Sequence, residues 1–237
     1  MTDELFREDA YLKSCDAKVI KINDLGGIIL DRTVFYPNGG GQPGDSGIIT
    51  FGDNRIEIVT TVNDSETGEL VHVPKEGQQL PNVGDDVSLE IDWDRRYLHM
   101  RMHTGLHLLC AAVPCGVTGG QIGSEKSRLD FDIGDMTLDK DEITEKLNSF
   151  MAGNHDVTSG WITDAEMDEN PELVRTMSVK PPRKGGRVRL MKVGDAVDLQ
   201  PCGGTHVKNT SEIGRLRVSK IENKGKRNRR VNIVFDE

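Results

Sequence analysis

Two pairs of metal-ligand side chains stand four residues apart in this chain: His103 and His107 in HTGLH, and Cys202 and His206 in PCGGTHV. Around the first pair, WDRRYLHMRMHTGLHLLCAAV repeats Leu98, Met102, Leu106 and Leu109 at helical spacing, so the two histidines project from one helix face on successive turns. Around the second, Gly203 and Gly204 argue against a helix and for a tight turn that folds both side chains toward one point. Each pair is too few for zinc, which takes three or four protein ligands. Joined, they make a tetrahedral set of three imidazoles and one thiolate, for which Zn2+ is the best fit. His99 lies one further step back, but each step turns the face by about 40°, so His99 and His107 diverge by about 80°. His99 therefore reads as a surface residue or one behind the ligands, and Cys110 as a small core residue. The protease pattern HExxH needs a glutamate where Thr104 stands, which disfavours peptide hydrolysis. From spacing alone, four protein ligands suit a structural zinc as well as a catalytic one.

A second stretch with chemical potential is DRTVFYPNGGGQPGDSG, residues 31–47, with five glycines. A phosphate-binding loop would continue into Gly-Lys-Ser/Thr and a helix, whereas this one runs into the strand-like GIITF, so nucleotide binding is not expected. Two readings remain: a tight β-turn, or a backbone surface thin enough for a substrate to lie against, with Gln42 as its polar group.

The elements that must carry these residues fall into two groups. Up to about residue 92, AKVIKIN, GGIILDR, SGIITF, RIEIVTTV, LVHVP and VSLEID are short strands separated by turns such as PGD, SETGE and VGDD, the pattern of a small antiparallel barrel or sandwich. After Asp92 the period becomes helical, with Asp92 or Asp94 as cap. A second helix at about 139–152 would bury Ile143, Leu147, Phe150 and Met151. WIT, RVRLMKV, EIGRLRVSKI and RRVNIVFDE read as strands, and NKGKRN as a hairpin turn. The expected organisation is α+β: a β-barrel domain over 1–92 and a zinc-binding α+β domain over 93–237.

Of the 237 residues 35% are hydrophobic and 29% charged, a soluble globular composition. No apolar run approaches the roughly 18 residues of a membrane span. The acidic start MTDELFREDA is unlike a signal peptide, so a cytoplasmic protein with reduced cysteines is expected. The net charge of -9 conceals an asymmetry, because Leu173 to Phe235 carries sixteen Lys and Arg against four Asp and Glu. KPPRKGGRVRLMK (180–192) and GRLRVSKIENKGKRNRR (214–230) are either a phosphate-binding surface or a solvated basic face.

Taken together and in order, DRTVFYPNGGGQPGD, HTGLH, GGQIGSEKSRLDFD, PCGGTHV and EIGRLRVSKIENKGKRNRRV resemble the editing region of alanyl-tRNA synthetase. Over nearly its whole length the chain resembles the freestanding AlaX family, in the form that keeps the N-terminal barrel. The aminoacylation core has no counterpart, so ATP binding as in a synthetase is not expected. The resemblance implies hydrolysis of Ser-tRNA(Ala), with Gly-tRNA(Ala) as a second candidate substrate, in a pocket made by the glycine-rich loop and the zinc domain. It places zinc on His103, His107, Cys202 and His206, and substrate on Gly39, Gly40, Gly41 and Gln42, with Thr33 sensing the amino-acid side chain. Gln42, Thr33, His103 and His107 are thereby the catalytic candidates. The tRNA acceptor end would lie on Arg187, Arg189, Lys224, Lys226, Arg227, Arg229 and Arg230. This chain departs from the pattern in its extra histidine, His99, and loosely over 155–185. Two other readings stand beside this one. A noncatalytic tRNA-binding module with structural zinc would not need the glycine loop, and a zinc hydrolase of a small acylated metabolite would not need the basic surface.

Overall fold

The structure is a computed structural model that describes residues 2–177, 181 and 183–236. Lys180 and Pro182 of the first basic stretch lie outside the described residues. The chain divides into two compact units, Met1–Tyr97 and Leu98–Glu237.

The first unit is built from β1 (Asp3–Glu4), β2 (Ser14–Ile22), β3 (Ile28–Leu30), β4 (Arg32–Thr33), β5 (Gly47–Phe51), β6 (Asn54–Asn63), β7 (Leu70–Pro74) and β8 (Asp86–Ile91). Six of them close a barrel in the order β2-β3-β7-β6-β5-β8, every pair antiparallel. These are the six strands expected from the sequence. Strand alternation fills the interior: β8 exposes every second residue and buries Val87, Leu89 and Ile91 against Val19, Ile28, Leu30, Ile49 and Ile58. The loop from β4 to β5 is a tight turn in which Gly39 and Gln42 exchange backbone hydrogen bonds of 3.0 and 2.9 Å. Gly40 and Gly41 between them have φ of +58° and +83°, the two positive values a two-residue hairpin turn requires. Below the turn, Gly44 permits close approach, since a Cβ there would lie 1.9 Å from the Thr61 carbonyl oxygen.

Helix α1 (Trp93–Ala112) begins in the first unit and continues into the second. Asp92 caps it by accepting the Arg95 N–H at 3.1 Å. The division falls between Tyr97 and Leu98 rather than at 92, because the first turn of the helix serves the barrel. Trp93 packs on the barrel core, and Arg95 donates to the Gly44 carbonyl at 2.8 Å. Arg96 forms a fully buried ion pair with Asp45. That pair anchors the glycine loop: Asp45 also accepts the Tyr36 N–H at 2.6 Å, and Arg96 donates to the Val34 carbonyl at 2.6 Å.

The second unit continues through β9 (Gly116–Gln121), β10 (Lys126–Asp132), α2 (Lys140–Ala152), β11 (Val157–Thr163), α3 (Asp164–Glu169), β12 (Arg183–Lys184), β13 (Arg187–Val193), β14 (Asp198–Pro201), β15 (Leu216–Asn223) and β16 (Asn228–Phe235). One sheet runs β15-β16-β10-β9. The other runs β11-β13-β12, with β14 also paired to β13. From His99 to Cys110 helix α1 is buried at every position except Arg101, which is half-buried. Gly105 makes close packing possible, since a Cβ there would come within 2.6 Å of Leu216 in β15. Helix α2 is capped by Asp139 and buries Ile143, Leu147 and Met151, leaving Phe150 half-buried. EIGRLRVSKI is not one strand. Its start belongs to a 3-10 turn, Thr210–Ile213, and Gly214 at φ +75° breaks the chain before β15. Strands β9, β10 and β14 and helix α3 were not expected; the glycines of GVTGGQ give β9 no strand signal, and pairing with β10 makes it one. Among the described residues no helix is long and apolar enough to cross a membrane.

Candidate metal centre

The two ligand pairs meet. One ligand atom each from His103, His107, Cys202 and His206 lies within 4.8 Å of all the others. The helix supplies its pair on successive turns. The other pair depends on β14, whose register opposite β13 puts Asp198 and Gln200 on one face and turns Leu199 outward. The Cys202 N–H donates to the Arg189 carbonyl at 3.0 Å, extending the same ladder, so Cys202 shares the face of Asp198 and Gln200. The Cys202 Sγ is 3.4 Å from His103 Nε2 and 3.3 Å from His206 Nε2. Zinc with ordinary Zn–N and Zn–S bonds would separate such atoms by about 3.6 Å at a tetrahedral angle. The three imidazole centroids are 4.2, 4.7 and 5.4 Å apart. Donor types and spacing both fit a tetrahedral divalent metal.

The surroundings fix which nitrogen each imidazole offers. Thr104 spends its hydroxyl proton on the Met100 carbonyl at 3.0 Å, so its oxygen accepts from His206 Nδ1–H at 3.2 Å and leaves Nε2 with its lone pair. Asp198 Oδ2 likewise accepts from His107 Nδ1–H at 2.9 Å and receives the Gln200 amide at 2.8 Å. Burial, with the charge of His103 beside it, holds His206 well below the ordinary imidazole range. Burial opposes ionisation of the Cys202 thiol, but His103 and His206 outweigh it and hold the thiol well below its free value. Burial alone would push His107 down, yet hydrogen bonds with Asp198 and Cys202 lift it to about 10, so a metal there would displace the Nε2 proton and leave Nδ1–H on Asp198.

His99 is buried rather than on the surface and is not one of the four donors. Arg189 is also buried; its guanidinium donates to the carbonyls of Cys202 at 3.3 Å and Gly204 at 2.8 Å. It braces the ligand turn, which removes it from the phosphate-facing residues expected from the sequence. Arg187 is exposed, as are Lys224, Lys226 and Arg227. Arg230 forks onto Asp130 at 2.8 and 2.9 Å, Arg227 meets Asp132 at 3.0 Å, and Arg229 donates to Asn223 and to the Gly225 carbonyl at 3.0 Å. The exposed Arg227–Asp132 pair is weak, so phosphate can compete for Arg227, whereas the fork of Arg230 onto the buried Asp130 holds that side chain more firmly.

Thr33 and Gln42 belong to the first unit and are fully buried there. The Thr33 hydroxyl is 2.8 Å from His72 Nε2, while His72 Nδ1 lies 3.0 Å from the Ile28 carbonyl. A carbonyl only accepts, so Nδ1 carries the proton and Thr33 donates to Nε2. Thr33 Oγ1 also takes the Phe35 N–H at 3.0 Å, and its remaining lone pair can only accept. Burial lowers His72 to about 4 and keeps it neutral. Motif and spacing do not single out His72, Thr104 or the bracing role of Arg189. Asp198 alone leaves a signal, as the residue in DLQPC that alternates with Gln200 and Cys202 on one strand face.

Two family models match the chain: Threonyl and Alanyl tRNA synthetase second additional domain over residues 188–232, and tRNA synthetases class II (A) over 10–95. The first span holds Cys202 and His206, whereas His103 and His107 lie outside both. Over 240 residues the chain is 36% identical to the alanyl-tRNA editing protein AlaX-M of Methanosarcina acetivorans, covering 98% of each chain. It is 35% identical over 235 residues to AlaX-L of Pyrococcus horikoshii, covering 95% of this chain and 56% of that one. To the alanine–tRNA ligase of Pyrobaculum aerophilum it is 36% identical over 233 residues, 93% of this chain and 25% of the ligase.

Proposed function

Because the chain belongs to the AlaX family of alanyl-tRNA editing proteins, we propose that it is a trans-editing deacylase that hydrolyses the ester of serine, and of glycine, wrongly attached to the acceptor end of tRNA(Ala). The observation that carries this reading is the convergence of four ligand atoms from segments about a hundred residues apart, in a chain alike from end to end to editing proteins.

The need for such an enzyme is physical. A pocket shaped for alanine cannot exclude glycine by size, and rejects an added hydroxyl only about 100-fold, so a second site must examine the product. In this reading Thr33 and Gln42 recognise the amino acid. With its proton on His72, Thr33 offers only an acceptor, which suits the donor O–H of serine. The methyl of alanine makes no such bond, a difference of roughly 1 to 3 kcal/mol per group. His103, His107, Cys202 and His206 would hold Zn2+, which when bound supplies a Lewis acid near the ester. Asp198, Thr104 and Arg189 keep the ligands in place, and Arg187 with the cations of β15 and β16 draws in the tRNA backbone.

The test is deacylation of tRNA(Ala) carrying serine, glycine or alanine, with zinc content measured on the same preparations. Ser-tRNA(Ala) should be cleared and Ala-tRNA(Ala) spared, and Thr33→Val should narrow that gap while zinc stays bound. Equal clearance of serine and alanine by zinc-loaded protein, or no clearance, would overturn the assignment. Equal hydrolysis of a free seryl ester would favour a metabolite hydrolase.

A further inference from the structure

Trp161 stands on the edge strand β11 with 46% of its surface exposed. Its neighbours on the same strand face, Ser159 and Thr163, are exposed and polar, so the ring is not part of an apolar core. Register explains its position. Trp161 lies opposite Arg189 in the β11–β13 ladder, and Cys202 lies opposite Arg189 in the β13–β14 ladder, one step beyond Leu190 and Pro201. Residues opposite one another in a ladder share a face, so Trp161, Arg189 and the ligand Cys202 form one row across the sheet. Asp198 and Gln200, which face His107, are on that same side. At about 4.8 Å per strand, the tryptophan stands roughly 10 Å from the metal ligand. Arg189 in the middle of the row is buried, its guanidinium turned onto the ligand turn. One pair further out on the same face, opposite Thr163, is the exposed Arg187.

We propose that Trp161 is the stacking platform for the unpaired terminal base of the tRNA 3′ end, with Arg187 facing the adjoining phosphate. The inference rests on the deacylase reading. An acyl ester on the terminal ribose that reaches the metal ligands carries its own base one nucleoside away, which is the reach from Cys202 to Trp161. A π-face accepts any base, and a guanidinium beside it neutralises the backbone that follows. Arg183, at the same end of the sheet, is engaged by Asp164 and Asp168, whereas Arg187 is exposed.

The probe is an acceptor-stem microhelix with serine in amide linkage to its terminal ribose, intact or abasic at the terminal nucleotide. Binding is measured for wild type, Trp161→Ala and Trp161→Phe at verified zinc content. Trp161→Ala should weaken the intact probe by roughly 5- to 150-fold and Trp161→Phe should recover most of the loss. Removing the base should cost wild type a similar factor and cost Trp161→Ala little. The chain has two tryptophans, so Trp93→Phe leaves Trp161 as the only one; its fluorescence should be quenched by the intact probe and not by the abasic one. Unaltered affinity in Trp161→Ala, equal cost of base removal in both proteins, or equal quenching by both probes would each overturn the proposal. Because the amide is not hydrolysed, a protein that fails to deacylate tRNA yet shows base-dependent quenching would refute the deacylase reading alone.

Discussion

Asp198 and Thr104 determine more of the candidate metal centre than their absence from the set of four donors suggests. Each takes the Nδ1 proton of one imidazole and so aims its Nε2 at the common point. Asp198→Asn keeps the shape and removes the carboxylate, and zinc affinity, read by competition with a chelator, should fall by roughly 10- to 100-fold. Unchanged affinity would mean that the helix and the turn orient His107 unaided. His72 makes a second residue-scale prediction. Its folded value of about 4 lies below the ordinary 6.5 of the unfolded chain, so its contribution to stability is complete above about pH 6.5 and is lost as pH falls toward 4. The loss amounts to about 3 kcal/mol, visible as a slope in urea-unfolding free energy over that interval. In a His72→Gln protein that part of the slope should be absent.

At the scale of elements, the buried Arg96–Asp45 pair ties the first turn of α1 to the glycine loop. Breaking such a pair from one side leaves an uncompensated charge in the interior. Asp45→Ala should therefore cost about 3 to 5 kcal/mol in denaturant unfolding followed by Trp93 fluorescence. A cost below about 1 kcal/mol would show that the loop is held by its backbone bonds. The same pair explains why a boundary placed where the hydrophobic period changes, at residue 92, falls short of the division in the structure. Periodicity marks where a helix begins, but Trp93, Arg95 and Arg96 reveal which unit they serve only through what they touch. Strands β9 and β14 have a related explanation. One is rich in glycine and the other spans Asp198–Pro201, and both are strands because an adjacent strand supplies their hydrogen bonds.

For the molecule as a whole, the excess of cations after Leu173 predicts binding of a polyanion despite a net charge of -9. Charge reversal at Lys224, Lys226, Arg227, Arg229 and Arg230 should flatten the salt dependence of tRNA binding by roughly 0.7 to 0.9 in log–log slope for each phosphate no longer neutralised. Arg189→Met should behave differently and lower zinc retention without changing that slope, because its guanidinium is spent on the ligand turn. Local spacing encodes six alternating strands, a helix with two histidines on one face, a glycine turn carrying Cys202 and His206, and the family to which those motifs belong. Packing, by contrast, settles which residues stand behind the ligands and which cations face outward. Hydrogen-bond partners such as Asp198 for His107, His72 for Thr33 and the Cys202 carbonyl for Arg189 are brought together across 91, 39 and 13 positions of chain. No local period reports such pairings, because they exist only once the strands have paired and the helix has packed.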